Sequence, residues 1–463
     1  MAIPLTIETR NESFKSVDKK SRQKIILNAL GNSRLTARQI AYKLGYKDLN
    51  YVKPRLTELL QEGTIITKDK EFDPITNRSV AVYQLNEVSS SKAPSKRKTL
   101  EDIESIKSKL GIKTLWSWSK YKTYENDPFT YYLKYVKKVA PDRLDSIYSP
   151  MGTAAHEIID MYYAGNIHQE EMITKYKEKL YELSLFDYKF DRTNEAKNKA
   201  ISDKYEKNLF HFFKNHKKPN YKTALEEFIL IKLSPKIYFQ GYIDCIHTTI
   251  SEKGKEVWIT DFKTSSLYTG KLLNEMAGQL LLYAMGIHQK TGIPYERIHI
   301  QFNFLKYLKC SIQRLNGKMT TTNLERRDYV ERMSNLIKIW LKNSSENIDD
   351  LQLHLLLEKA IKGNSLDILP ENVKNKFTID DCIIEVPYNE SSIKELTENI
   401  TKTISDIESK TSEYEISNCD DKKGSELFWK DITDKSSFFM ANLSEYSANL
   451  HKPYSRYLTQ KGY

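Results

Sequence analysis

Cysteine is scarce and scattered. Cys245, Cys310, Cys382 and Cys419 are the whole complement of the 463-residue chain, and no CxxC or Cys/His cluster joins them. That spacing argues against structural zinc, an iron–sulfur cluster and a disulfide framework. It makes a reducing cytoplasm the expected compartment. No run of about 18 or more uncharged apolar residues occurs, so no membrane-spanning helix is expected. Met1-Ala2-Ile3-Pro4 lacks the basic and then apolar pattern of a secretory signal. No GxxxxGK[ST] appears, since Gly270-Lys271-Leu272 lacks the partner glycine and the hydroxyl. Neither a P-loop motor nor a nucleotide cofactor is therefore expected. GxSxG and paired Cys/His nucleophiles are missing too. With 40% hydrophobic and 29% charged residues, what remains is a globular chain with room for about two to four domains.

Positive charge is present but uneven. Residues 1–100 carry 19 Lys and Arg against 10 Asp and Glu, whereas the other 363 carry 53 against 51. A basic N-terminal region fits a polyanionic partner, nucleic acid first, and equally a solvated tail. Residues 1–20 read as a loose basic arm. Ile25, Ile26 and Leu30 lie at helical spacing over 22–30. Thr36 can cap a second helix with Ile40 and Leu44 on its apolar face and Gly45 as its stop. Asp48 can cap a third helix running to Gln61, with Pro54 near its first turns, where proline is best tolerated. Residues 64–68 and 80–85 alternate like two strands around the turn-rich Asp73-Pro74-Ile75-Thr76-Asn77. Three short helices and a hairpin over residues 21–86 resemble a winged helix-turn-helix domain. The resemblance implies that Lys47, Asn50, Tyr51, Lys53 and Arg55 lie near the exposed face of the third helix, within reach of a DNA groove or its phosphates. A winged helix used for protein contacts, for example with a recombination or replication protein, is the alternative. Residues 87–100, rich in Ser and Lys, read as a flexible basic linker.

The centre of the chain carries the chemistry. Residues 228–233, 237–246 and 257–262 are apolar runs separated by turns, and read as successive antiparallel strands. A helix over 272–289 and a strand over 298–304 follow. Asp261 and Lys263 are two residues apart on the third strand and so share one face. Asp244, on the second strand, can face them. Ile243, Ile246, Trp258, Ile259 and Phe262 surround all three. Two carboxylates in such a setting call for a cation, and hard oxygen ligands suit Mg²⁺ or Mn²⁺.

The pattern Asp244…Asp261-Phe262-Lys263 resembles the PD-(D/E)xK nuclease superfamily. Gly241, three residues before Asp244, fits the GxxD form. Gln279 and Tyr283, at i and i+4 on the following helix, are similar to the QxxxY motif of RecB-like nucleases and their CRISPR-associated relatives. Gly152-Thr153-Ala154-Ala155-His156 resembles the N-terminal helix of that subgroup, where a histidine joins the metal site. The stretch from Leu115 to Phe129 is similar to the opening of RecB-like domains. Some relatives carry a cysteine ligand to an iron–sulfur cluster just before the proline. Asp127 stands there, and only Cys419 lies near the far end, so no cluster is expected.

The resemblance implies an α/β (α+β) restriction-endonuclease-like core, a central mixed sheet flanked by helices, over residues 101–315. A mostly helical extension over 316–463 completes it. It implies a Mg²⁺- or Mn²⁺-dependent deoxyribonuclease, with an exonuclease favoured over an endonuclease, acting in recombination, replication or repair of phage or mobile-element DNA. The site is then to be found in the cytoplasm of a bacterial host. Asp244, Asp261 and His156, with the Phe262 carbonyl, would hold the metal. Lys263 would orient the attacking water or offset developing charge. Gln279 and Tyr283 would position the DNA strand. Glu226 and Glu227 precede the first strand, where one could join the outer shell of the site. Trp116, Trp118, Tyr121, Tyr131, Tyr132 and Tyr135 could stack on single-stranded bases, although packing against one another is the preferred reading. The other functional readings are a DNA-binding or partner-recruited protein whose core is a site-directed endonuclease or an inactive scaffold. Residues 351–361 and 392–411 read as helices and 383–386 as a strand.

Overall fold

The computed structural model describes residues 19–30, 33–46, 48–61, 63–86, 97–139, 141, 147–184, 190, 194–344, 348–429, 439 and 443–446. Lys47, residues 1–18 of the arm and residues 87–96 of the linker lie outside the described residues, while Lys19 and Lys20, expected in the arm, belong to the first helix. The chain divides into two compact units, residues 1–95 with 181–187, and residues 96–180 with 188–463.

The first unit contains α1 (Lys19–Leu30), β1 (Leu35–Thr36), α2 (Ala37–Lys43), a 3-10 turn (Leu49–Tyr51), α3 (Lys53–Gln61), β2 (Ile65–Asp73) and β3 (Arg78–Leu85). Thr36 caps α2 reciprocally. Its hydroxyl accepts from Gln39 N, and its own N–H donates to the Gln39 side chain at 2.7 Å. Asp48 also caps, but it opens only the 3-10 turn, and α3 begins separately at Lys53. β2 and β3 run further toward their turn than the alternation indicates. Asp73 is the reason, since it accepts from Arg38 Nη2 at 2.9 Å and from the Thr76 hydroxyl at 2.8 Å. The Arg38 hydrogen bond holds its carboxyl below the ordinary range. The strands form an antiparallel sheet in the order β1-β3-β2. Ile26, Leu30, Ile40, Val52, Leu56, Leu59 and Ile65 are buried beneath it.

The second unit opens with α4 (Leu100–Leu110), β4 (Leu115–Ser117), α5 (Trp118–Asn126), α6 (Pro128–Tyr131), α7 (Tyr148–Tyr163) and α8 (Glu195–Asn215). Its sheet is built from β5 (Thr223–Lys232), β6 (Tyr238–Ser251) and β7 (Gly254–Lys263), antiparallel in sequence. The chain then crosses over through α9 (Lys271–Met276) and α10 (Gly278–Thr291) to β8 (Ile298–Gln313), which lies parallel to β7. β4 pairs parallel with β6, while β9 (Met319–Glu325) and β10 (Phe377–Glu385) pair antiparallel with β8. The result is the mixed seven-stranded sheet flanked by helices. The helix expected over 272–289 is interrupted at Ala277, and α10 starts at Gly278. A Cβ on Gly278 would lie 2.2 Å from Trp118 Cη2, so only glycine lets the indole reach the start of α10.

Side-chain packing explains the aromatic richness of the region. Trp116, Tyr121, Tyr131 and Tyr132 are buried in the main core, which agrees with packing rather than base stacking. Lys120 sits over the Trp116 ring at 4.8 Å and the Tyr135 ring at 5.3 Å, and burial pushes its ammonium down to about 8. Asp127, where a cluster cysteine stands in some relatives, caps α6 by accepting from Phe129 N and Thr130 N. Beyond β8, α11 (Tyr329–Lys342) and α12 (Asp350–Gly363) bury Val330, Met333, Ile337 and Leu353 against Leu308, Cys310 and Ile312 of β8. α13 (Glu390–Ile416) and α14 (Asp421–Trp429) return Ile400, Ile404, Ile407 and Phe428 to the main core. Arg326, 2% exposed, is paired with Asp381 of β10. No helix among the described residues is long and apolar enough to cross a membrane.

Candidate active site

Strand register brings the acidic residues together. Cys245 pairs with Thr260 across β6 and β7, so the next position along each strand sets Asp244 against Asp261. Both lie at the end of β7 from which the chain departs toward α9. Carboxyl ends of parallel strands are common ligand sites, because the chain leaves a crevice there. Asp261 is buried, at 4% exposure. Its Oδ2 lies 2.6 Å from Lys263 Nζ, two residues on and on the same face. Burial would depress the Lys263 ammonium, but Asp261 outweighs it and the net displacement is upward. Lys263 is therefore a fixed cation beside the carboxylates.

Asp244 is the strained member electrostatically. Burial first, and the Asp261 charge second, push its carboxyl well above the ordinary range, against the opposing pull of His156, Lys263 and the Phe262 N–H. The Phe262 N–H donates to Asp244 Oδ2 at 3.0 Å and fixes the carboxylate's direction. His156, on α7, approaches from above the sheet. Its Nε2 lies 2.9 Å from the Phe262 carbonyl, which can only accept, so Nε2 carries the proton. In the neutral ring this leaves a lone pair on Nδ1, 3.6 Å from Asp244 Oδ2. The Phe262 carbonyl, anticipated as a metal ligand, thus serves to orient His156.

Glu226 is one of the two residues, with Glu227, expected before the first strand, one of which could join the outer shell of the site. It lies within β5, not before it. Pairing of Leu225 with Cys245 and Glu227 with Ile243 puts it across from Asp244. Its φ of 51° is left-handed, rare for a residue with a Cβ, and interrupts the ladder there. One ligating atom each of His156, Glu226 and Asp244 lies within 4.8 Å of the others. Glu227 instead pairs with Lys290 at 3.0 Å, away from the site.

These residues fit a divalent cation. The two crowded carboxylates Asp244 and Asp261 share the Lys263 ammonium, and burial together with the Asp261 charge disfavours ionisation of Asp244. Asp261 Oδ2 is buried with no hydrogen-bond partner beyond the ion pair to Lys263. Carboxylate oxygens and a correctly protonated imidazole are the donors that such an ion takes.

Gln279 and Tyr283 lie on α10 as the i, i+4 spacing requires, but they are joined to each other and to the sheet. Gln279 Nε2 donates to the Tyr283 hydroxyl at 2.7 Å, and that hydroxyl donates to the Tyr242 carbonyl at 2.8 Å. Tyr283 is buried. Its hydroxyl proton is committed to β6, two residues before Asp244, so the pair braces the strand that bears the carboxylate. Gly241 makes the approach possible, as a Cβ there would lie 2.5 Å from Tyr283 Cε1.

In the first unit, Asn50 and Lys53 are exposed. Tyr51 stacks on Tyr46 with ring centroids 5.4 Å apart. Arg55 pairs with Glu58 at 2.8 Å. Lys47 is outside the described residues.

A family model of the PD-(D/E)XK nuclease superfamily matches residues 115–411. No curated protein matches the chain.

Proposed function

The chain belongs to the PD-(D/E)XK nuclease superfamily, and from that premise we propose that it is a Mg²⁺- or Mn²⁺-dependent deoxyribonuclease of the RecB-like kind, favouring exonucleolytic over internal cleavage. The observation that carries the reading is Asp244, Asp261 and Lys263 converging with His156 at one end of the sheet. Gln279, Tyr283 and the glycine that accommodates them support the RecB-like assignment.

Asp244, Asp261 and His156 would hold the ion. A divalent cation there would lower the pKa of a water and offset charge building on the scissile phosphate. Lys263, fixed by Asp261, supplies a second positive charge to a phosphate oxygen and can direct the nucleophile. Phe262 contributes through its backbone, with its N–H on Asp244 and its carbonyl on His156. Gln279 and Tyr283 act by positioning β6.

The N-terminal unit is read as a winged helix that brings the enzyme to DNA. Exposed Asn50 and Lys53 are the foremost contacts, Lys47 belongs to the same segment, and Tyr51 and Arg55 shape the surface beside them. The proposed setting is recombination, replication or repair of phage or mobile-element DNA in a bacterial cytoplasm. Incubation of the purified protein with linear, circular and single-stranded DNA, each with Mg²⁺, Mn²⁺ or EDTA, tests the proposal. Metal-dependent loss from ends is expected. Nicking of circles would replace the exonuclease with an endonuclease, and mobility shift without cleavage would reduce the chain to a binder.

A further inference from the structure

Two strands share one edge of β8 and leave a notch between them. β7 pairs with β8 as far as Lys263 against Phe304, and β9 takes over with Glu325 against Tyr307. Leu305 and Lys306 lie in the notch, just past the end of β7 that carries Asp261 and Lys263. Leu305 is buried. Arg326 N donates to the Lys306 carbonyl at 2.9 Å and holds the backbone there. The Lys306 ammonium sits over the ring of buried Tyr205 on α8, 4.5 Å from its centroid. The Tyr205 hydroxyl in turn meets the side chain of Thr264, the residue after Lys263. Lys306 therefore reaches back toward the site along an independent route.

The charge around it is unbalanced. Glu325, the carboxylate facing Lys306 from β9, is taken by Lys204 at 2.7 Å and by Arg327 at 2.8 Å. Asp261 is taken by Lys263. Among the described residues, no carboxylate pairs with Lys306. Burial, opposed by Glu325 and helped by Lys204, pushes its ammonium down to about 8. A half-buried cation in this setting lacks an anion.

We propose that Lys306 receives a backbone phosphate of the bound DNA strand, one or two nucleotides from the scissile one, and so positions the strand on Lys263 and the carboxylates. The inference rests on the nuclease reading and deepens it, adding a substrate contact outside the motif. Two strand residues beyond the level of Lys263 span roughly 7 Å. A DNA strand advances about 3.4 Å per phosphate along its axis, so an ammonium at this offset meets a phosphate further along the strand than the one at Lys263. Phosphate oxygens supply the anion that the notch lacks and favour the charged amine.

Lys306→Met keeps the stem over Tyr205 and removes the charge. Cleavage of linear DNA in Mg²⁺ should show its KM raised about tenfold, the scale of one hydrogen bond to a charged group, with kcat within about twofold of wild type. Lys306→Arg should restore KM. A second readout needs no catalysis. Binding of a short fluorescent single-stranded DNA in EDTA, followed by anisotropy, should weaken about fivefold from pH 7 to pH 9 in the wild type, because the unbound ammonium loses its proton through about 8 and the neutral amine forfeits the phosphate. Lys306→Arg stays charged over that range and should lack this loss. The groups facing Lys306 do not mimic it. Glu325 is held down to about 2, burial pushes Tyr205 up to about 12 and Cys382 of β10 up to about 11, Asp381 lies well below the usual carboxylate range, Lys263 is displaced upward, and Lys204 and Arg327 are ion-paired. Wild-type KM in Lys306→Met, or equal pH responses in wild type and Lys306→Arg, overturns the proposal and leaves the nuclease standing. A wild type that binds with the expected pH response yet never cleaves keeps the contact and removes the nuclease reading. Should Lys306→Met fail to fold by circular dichroism, the comparison with Lys306→Arg decides by itself.

Discussion

Tyr283 leans across Gly241 so closely that the strand can carry no side chain at that position. A Cβ at residue 241 would come within 2.5 Å of Tyr283 Cε1 and 2.9 Å of its hydroxyl oxygen. Gly241→Ala must therefore push the ring away and break its bond to the Tyr242 carbonyl. We expect a loss of about 1–3 kcal/mol, measured by urea unfolding, from overpacking and a stranded buried hydroxyl. Cleavage should fall as well, since the brace lies beside Asp244. Tyr283→Phe, which removes the hydroxyl without a clash, should cost less on both measures.

Asp261→Asn and Lys263→Ala address the chemistry directly. Each should lower metal-dependent DNA cleavage by at least about 100-fold, the scale of losing one strong electrostatic contact to the transition state. Circular dichroism should show both variants folded. Wild-type rates in the pair would remove the assignment of this site.

Buried Arg326 pairs with the half-buried Asp381, distant in sequence from the motif. Burial alone would raise the Asp381 carboxyl, but His216 and Arg326 outweigh it and hold it well below the usual carboxylate range. A depressed carboxyl contributes stability above its unfolded pKa, and that contribution is lost as pH falls through the folded value. Asp381→Asn should destabilise the protein at pH 7 by about 3–5 kcal/mol, because it leaves a buried guanidinium uncompensated. The deficit should shrink in acid below pH about 4, where the carboxyl begins to protonate in the unfolded wild-type chain while the folded one stays ionised. Chemical denaturation across that range checks both statements.

Lys53 tests the N-terminal unit. It is exposed on α3, so Lys53→Ala should weaken DNA binding about equally for all sequences and reduce the salt slope by about 1. Metal binding should not change. Fluorescence anisotropy at several salt concentrations gives the slope, and an unaltered slope would remove Lys53 from the DNA surface.

Part of this architecture could be read from residue order, and the reasons differ by element. Thr36 and Gln39 announce their helix start because a reciprocal cap is a local chemical event. Asp261 and Lys263 share a face because strand geometry allows nothing else. Glu226 could not be chosen over Glu227 in that way. Only the register with Asp244 separates them, and register depends on strands that are remote in sequence. Gly278 was equally opaque, since periodicity across 272–289 contains no trace of the Trp118 indole that demands it. Tyr283 kept its place but changed its employment, because a helical spacing gives direction and not the identity of the atom at the far end.

β8 has a consequence for anyone wishing to shorten this protein. Its 16 residues pair with β7 over the first half and β9 over the second, and with β10 along most of the other edge. A fragment stopped at residue 315 would keep every motif residue yet bare the whole outer border of that strand, together with Cys310 and Ile312. Such a border invites pairing between molecules. A shortened piece must then extend at least through β10 to keep that border covered, and insolubility of a shorter one would say nothing about catalysis.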